Sequence, residues 1–120
     1  IADQSFTTKA LAARLEIQNG AKLYRIGIIG KSETYNAQFW SLENPVNIKD
    51  VSEFAQKYGI PEANLKNGRI FMETGQLNQG EKFITREAPG VGKNNGGAIE
   101  LVTNPNSVRL ETFSTINFDH

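Results

Sequence analysis

The 120-residue sequence predicts an α+β fold: helices at the start, then a mainly antiparallel, strongly twisted sheet. Two observations carry that prediction. Apolar residues recur at helical spacing in residues 6–17 and 50–58, and most of the remaining chain alternates apolar and polar residues in short runs. Breakers rich in Gly, Asn and Pro separate those runs.

The opening helix follows from Phe6, Ala10, Ala13 and Ile17, with Leu11 beside them. Ser5, Thr7 and Thr8 are candidate N-caps, and Asn19-Gly20 is a stop. Residues 22–29 then alternate, with Leu23, Arg25, Gly27 and Ile29 on one face and Tyr24, Ile26 and Ile28 on the other. Arg25 in an apolar strand requires an anionic partner, because a buried unpaired guanidinium is costly. That partner is either an internal carboxylate or a bound phosphate. Gly30-Lys31-Ser32 resembles the end of a phosphate-binding loop, but the upstream glycine is missing, since position 25 is Arg.

Residues 37–42 form a second strand, closed by Glu43-Asn44-Pro45. Its Trp40 reads as a core anchor, or with Phe39 and Ser41 as the wall of a flat-ring pocket. A second helix is predicted over 50–58, where Asp50 and Glu53 make a capping-box pattern, Val51, Phe54, Ala55 and Tyr58 share a face, and Gly59 follows. Further strands are predicted at 69–74, 82–85, 98–103 and 108–116. In the last, Val108, Leu110, Thr112, Ser114 and Ile116 are expected on one face.

Between the strands at 82–85 and 98–103 lies a loop without hydrophobic period. It contains Pro89, Gly90, Gly92, Gly96 and Gly97, five Gly or Pro in nine residues. Such a loop can take positive φ angles and approach a ligand closely, at a cost in conformational entropy. Glu100 follows it, flanked by Ile99 and Leu101. A carboxylate there is either a catalytic group at a strand edge or an ordinary solvent-facing residue.

Composition narrows the chemistry. Thirteen basic and thirteen acidic residues cancel, which gives no overall electrostatic footprint of a nucleic-acid binder and leaves a local patch open. There is no cysteine, so disulfides, thiol catalysis and cysteine-ligated zinc are excluded. The single histidine, His120, excludes a His-based triad or a two-histidine metal site, and reads as a frayed terminus or a tag remnant. No metal and no permanently bound cofactor is expected. No apolar stretch is long enough to span a bilayer, so no membrane partner is expected. The length suits one domain, with residues 1–20 as an N-terminal helix and 21–120 as a catalytic core, and the start at Ile1 suggests a piece of a longer protein.

Arg25 in Leu-Tyr-Arg, Ser41 in Phe-Trp-Ser and Glu100 in Gly-Gly-Ala-Ile-Glu stand in an order that resembles the ADP-ribosyltransferase fold, including its NAD-glycohydrolase toxin branch. The Ala-Pro-Gly-Val-Gly…Gly-Gly segment is similar to loops of C-terminal toxin domains in large secreted bacterial proteins: contact-dependent inhibition effectors, filamentous haemagglutinins and Rhs proteins. The resemblance spans about residues 22–116 in motifs of one to three residues. It implies a secreted antibacterial toxin domain, delivered from the cell surface into a target cytoplasm, that consumes NAD as substrate and is held by a cognate immunity protein. It also implies a site: Arg25 on the pyrophosphate, Glu100 facing the oxocarbenium-like state, Ser41 orienting Glu100 or the ribose, and Tyr24 or Trp40 stacked on nicotinamide. Thr85, Arg86, Gly96 and Gly97 complete the expected substrate-binding set. The family's Ser-Thr-Ser reads Trp40-Ser41-Leu42 here, and Ala98 stands where arginine-modifying members carry Glu or Gln. Hydrolysis of NAD, or transfer to an acceptor other than arginine, is therefore the expected outcome.

Two other readings stay open. Toxins of this size are often metal-independent RNases of the barnase, EndoU, colicin or RelE kind, many of which cut tRNA. Lys31, Ser32, Thr85, Arg86, Lys93 and Arg109 would then line a basic cleft, although exposed Lys and Arg usually form a solvated surface. A non-enzymatic binding module would instead use Arg25 and Glu100 as a structural ion pair.

Overall fold

Helix α1 (Thr8–Gln18) begins two residues later than the apolar spacing predicts, because Thr7 takes the N-cap in extended backbone and its hydroxyl accepts from the Ala10 N–H at 3.3 Å. Phe6 thus precedes the helix and stays exposed. The helix has no acidic residue in its first turn; the anion comes from elsewhere in the chain. The Glu87 carboxylate accepts from the hydroxyls of Ser5 (2.8 Å) and Thr7 (2.6 Å), which draws negative charge to the positive end of the helix dipole. Gly20, at φ +86°, turns the chain out of the helix.

The computed structural model describes residues 3–28, 39–44, 53, 56–57, 70–90 and 96–116. Among the described residues six strands follow α1: β1 (Leu23–Ile28), β2 (Phe39–Ser41), β3 (Ile70–Leu77), β4 (Phe83–Glu87), β5 (Ile99–Thr103) and β6 (Val108–Ile116). They form one sheet in the order β4-β5-β2-β1-β3-β6, with every neighbouring pair antiparallel. The α+β class and the antiparallel sheet are as the sequence predicts. Glu53, Gln56 and Lys57 are helical, in line with the second helix; the rest of that segment lies outside the described residues, as do Lys31, Ser32, Lys93 and His120.

Alternation sorts the sheet into two faces. Helix α1 lies on the face that carries Leu23, Trp40, Leu101 and Thr85. Ala10 and Ala13 keep the helix close to the sheet, and Ile17 joins Leu23, Trp40 and Leu101 in the core, with Leu42, Leu77, Phe83 and Val108 packed against them. The Thr85 hydroxyl donates to the Ala10 carbonyl at 2.6 Å. Gln4 clamps the outer margin of β4: its side-chain oxygen accepts from the Thr85 N–H (2.9 Å) and its amide donates to the Thr85 carbonyl (2.9 Å). Arg14 takes the Phe83 carbonyl on the same margin at 2.9 Å.

The single-face expectation for residues 108–116 is corrected by a bulge. Thr74 pairs with Thr112 but Gly75 pairs with Leu110, so Glu111 is the extra residue and the alternation flips there. Val108 and Leu110 therefore share the face of Leu23, while Thr112 and Ser114 share the face of Tyr24. The crowding explains Gly75: a Cβ would lie 2.6 Å from the Arg109 carbonyl oxygen.

Candidate functional site

The face opposite α1 carries a continuous polar row. Reading across the strands, Arg86 (β4), Glu100 (β5), Ser41 (β2), Tyr24 (β1), Thr74 (β3) and Thr112 (β6) are successive Cα partners. Cross-strand partners hold their side chains about 5 Å apart. Ser41, Tyr24, Glu100 and Arg86, all expected at the site, are thus brought side by side.

Glu100 and Ser41 are both buried. The Ser41 hydroxyl donates to the Glu43 carbonyl at 3.1 Å and accepts from the Glu43 N–H at 2.9 Å, which ties it into the turn that ends β2. Arg86 Nε donates to Glu100 Oε2 at 2.9 Å, and the Arg86 guanidinium lies over the Phe39 ring, 5.7 Å from its centroid. Burial pushes the Glu100 carboxyl above its ordinary value of 4.5, and the hydrogen bond and charge of Arg86 oppose that rise. Lys57 bridges the carboxylates of Glu43 (3.2 Å) and Glu53 (3.4 Å), and its ammonium is held above the ordinary range chiefly by the Glu43 hydrogen bond.

The roots of the Gly-rich loop are built by backbone hydrogen bonds. Ala88 N–H donates to the Ala98 carbonyl (2.8 Å) and Gly97 N–H to the Ala88 carbonyl (2.9 Å), which continues the β4–β5 ladder. Gly96 N–H donates to the Gln56 carbonyl (2.7 Å) and Ala98 N–H to the Lys57 carbonyl (3.0 Å), so the helical segment docks on the loop. Gly96 (φ +73°) and Gly97 (φ +105°) take a backbone that side chains disfavour. Their N–H groups are engaged by the Gln56 and Ala88 carbonyls.

Three expected site residues lie on the other face. Arg25 is the Cα partner of Glu73, and Arg25 Nη1 donates to Glu73 Oε2 at 2.9 Å, so its anionic partner is an internal carboxylate. Trp40 is buried under α1. Thr85 is also buried there, its hydroxyl engaged with Ala10 and Gln4. The ion pair expected of a binding module, Arg25 with Glu100, does not form; each has a different partner. Of the basic cleft, Arg86 stands at Glu100, and Arg109 lies four strands away on β6, where it donates to Gln76.

Register splits the aromatic pair expected as a ring wall and makes one pairing, Arg86 with Glu100, that sequence reasoning missed. Phe39 alternates with Trp40, so it faces the Glu100 side, and it is 51% exposed. The Arg86–Glu100 pair follows from register: once residues 87 and 99 close the loop as partners, 86 and 100 must face each other. Among the described residues no group of His, Cys, Asp or Glu could hold a metal ion, and no helix is long and apolar enough to cross a membrane. Comparison with known proteins finds no matching family model, curated protein or solved structure.

Proposed function

We propose that the domain is an antibacterial toxin module that cleaves the nicotinamide glycosidic bond of NAD. The observation that carries the reading is the direct cross-strand partnership of Ser41 and Glu100, a buried carboxylate beside a buried hydroxyl on the sheet face opposite α1. In the reaction the bond from ribose C1′ to the nicotinamide nitrogen breaks, and its electron pair leaves with nicotinamide. A water or acceptor hydroxyl then bonds to C1′ and releases its proton to solvent. The ionised Glu100 stabilises the oxocarbenium-like state and orients that hydroxyl. Ser41 sets the geometry of the turn beside it, Tyr24 offers a flat edge to the ring, and Phe39 replaces Trp40 as the aromatic on this face. Arg86 supplies the cation next to the carboxylate, and Arg25 belongs to the sheet. The ADP-ribosyltransferase-like fold, the secreted delivery and a cognate immunity protein are parts of the same proposal. Its basis is the order of Ser41, the Gly-rich loop and Glu100 along the chain.

One observation favours a second reading. A buried carboxylate with an Arg at 2.9 Å is also the pairing that metal-independent RNA cleavage uses, with the carboxylate as base for the 2′-hydroxyl and the guanidinium on the phosphate. Purified domain mixed with NAD, with total tRNA in parallel, separates the two. The NAD reading expects nicotinamide release that Glu100→Gln lowers by about 100-fold or more. Intact NAD alongside cut tRNA overturns it in favour of the RNase.

A further inference from the structure

We propose that Arg86 is a positioning residue: clasped between the Phe39 ring and Glu100, its guanidinium fixes the Glu100 carboxylate in one orientation and in its charged form. The inference rests on the NAD reading for its catalytic consequence, but the geometry stands by itself. Glu100 is the Cα partner of Arg86 on one side and of Ser41 on the other, so its side chain is confined between two strands. The Arg86 side chain is 26% exposed and that of Glu100 10%, so the pair is shielded enough for its attraction to count. Nε, rather than a terminal nitrogen, makes the hydrogen bond, with the guanidinium over Phe39. The ring therefore restrains the same group that holds the carboxylate.

The charge balance around Glu100 is simple among the described residues. On β4 the facing groups are Arg86 and Ile84; on β2 they are Ser41 and Phe39, and beyond them on β1 stands Tyr24. Glu43 and Lys57, past the end of β2, are paired with each other. Arg86 is the charge that offsets the burial of Glu100. Without it, burial acts alone and the carboxyl holds its proton to higher pH, the form that cannot stabilise a cation.

Two measurements test this. The pH dependence of kcat/KM for nicotinamide release would be compared for the wild type, Arg86→Gln, Arg86→Lys and Phe39→Leu. In parallel, the Glu100 carboxyl would be titrated by carbon NMR, with Glu100→Gln to assign its signal. The expected result is an acid limb moved upward in R86Q, smaller in F39L and largely restored in R86K. The rate at neutral pH should fall by about 10- to 100-fold in R86Q, the scale found for groups that act through another residue. The carboxyl titration should move in the same direction in R86Q. A limb and a carboxyl titration both unmoved in folded R86Q overturn the proposal. If wild type releases no nicotinamide while R86Q still shifts the titration, the NAD reading fails and the hold of Arg86 on Glu100 stands.

Discussion

Arg25 and Glu73 face each other across β1 and β3, Nη1 to Oε2 at 2.9 Å, with Glu73 only 2% exposed. The Phe71 ring lies beneath the same guanidinium, 5.3 Å from its carbon, and stacks on Phe113. Charge, ring and strand register thus lock β1, β3 and β6 together on the α1 face of the sheet.

Removing that guanidinium should be felt as stability. Arg25→Ala is expected to lower stability by roughly 3 kcal/mol in urea unfolding, because it removes one charged partner of a buried carboxylate. Arg25→Lys should recover part of the loss. Unchanged unfolding together with lost nicotinamide release would return Arg25 to the substrate.

The two loop glycines should respond differently. A Cβ at Gly96 would lie 2.1 Å from the Ala88 carbonyl oxygen, whereas one at Gly97 meets nothing within 4 Å. Gly97→Ala should cost about 1 kcal/mol for its backbone conformation alone. Gly96→Ala should cost clearly more in denaturant unfolding, and should also lower nicotinamide release by displacing the start of β5.

Glu87 and Glu100 should leave opposite marks on stability against pH. Hydrogen bonds from Thr7 and then Ser5 hold the Glu87 carboxyl below its ordinary 4.5. Its contribution is present above that value and is lost as pH falls through the lower folded one. Burial raises the Glu100 carboxyl, so its contribution is greatest below 4.5 and declines as pH rises through the higher folded value. Thermal midpoints between pH 3 and 7 should flatten on the acid side in Glu87→Gln and at the upper end of the acid range in Glu100→Gln.

Thr7→Ala removes both the N-cap and one of the hydroxyls on Glu87. It should lower stability by about 1 kcal/mol at neutral pH, with a smaller effect at acid pH, where Glu87 is protonated. Chemical denaturation at two pH values reads this directly.

Elements were legible in the sequence where one physical signal dominated. Alternation placed Arg25 and Tyr24 on opposite faces, and Asn19-Gly20 ended α1. Strand β3 runs on to Leu77, beyond the expected Thr74, because Gly75 is needed for a close strand approach that no local pattern announces. The faces of β6 depend on a single extra residue, Glu111, whose bulge exists only relative to β3. At the site, Ser41 and Glu100 were named from the chain, but their register was not. Thr85 and Arg86 look equivalent in sequence; the sheet sends one under the helix and the other to the carboxylate.

The Gln4 clamp bears on how the molecule behaves in a crowd. Gln4 and Arg14 occupy backbone polar groups of Thr85 and Phe83, so those groups are withheld from an incoming strand. The β4 edge is thereby a poorer template for strand-by-strand growth than a bare edge of the same length.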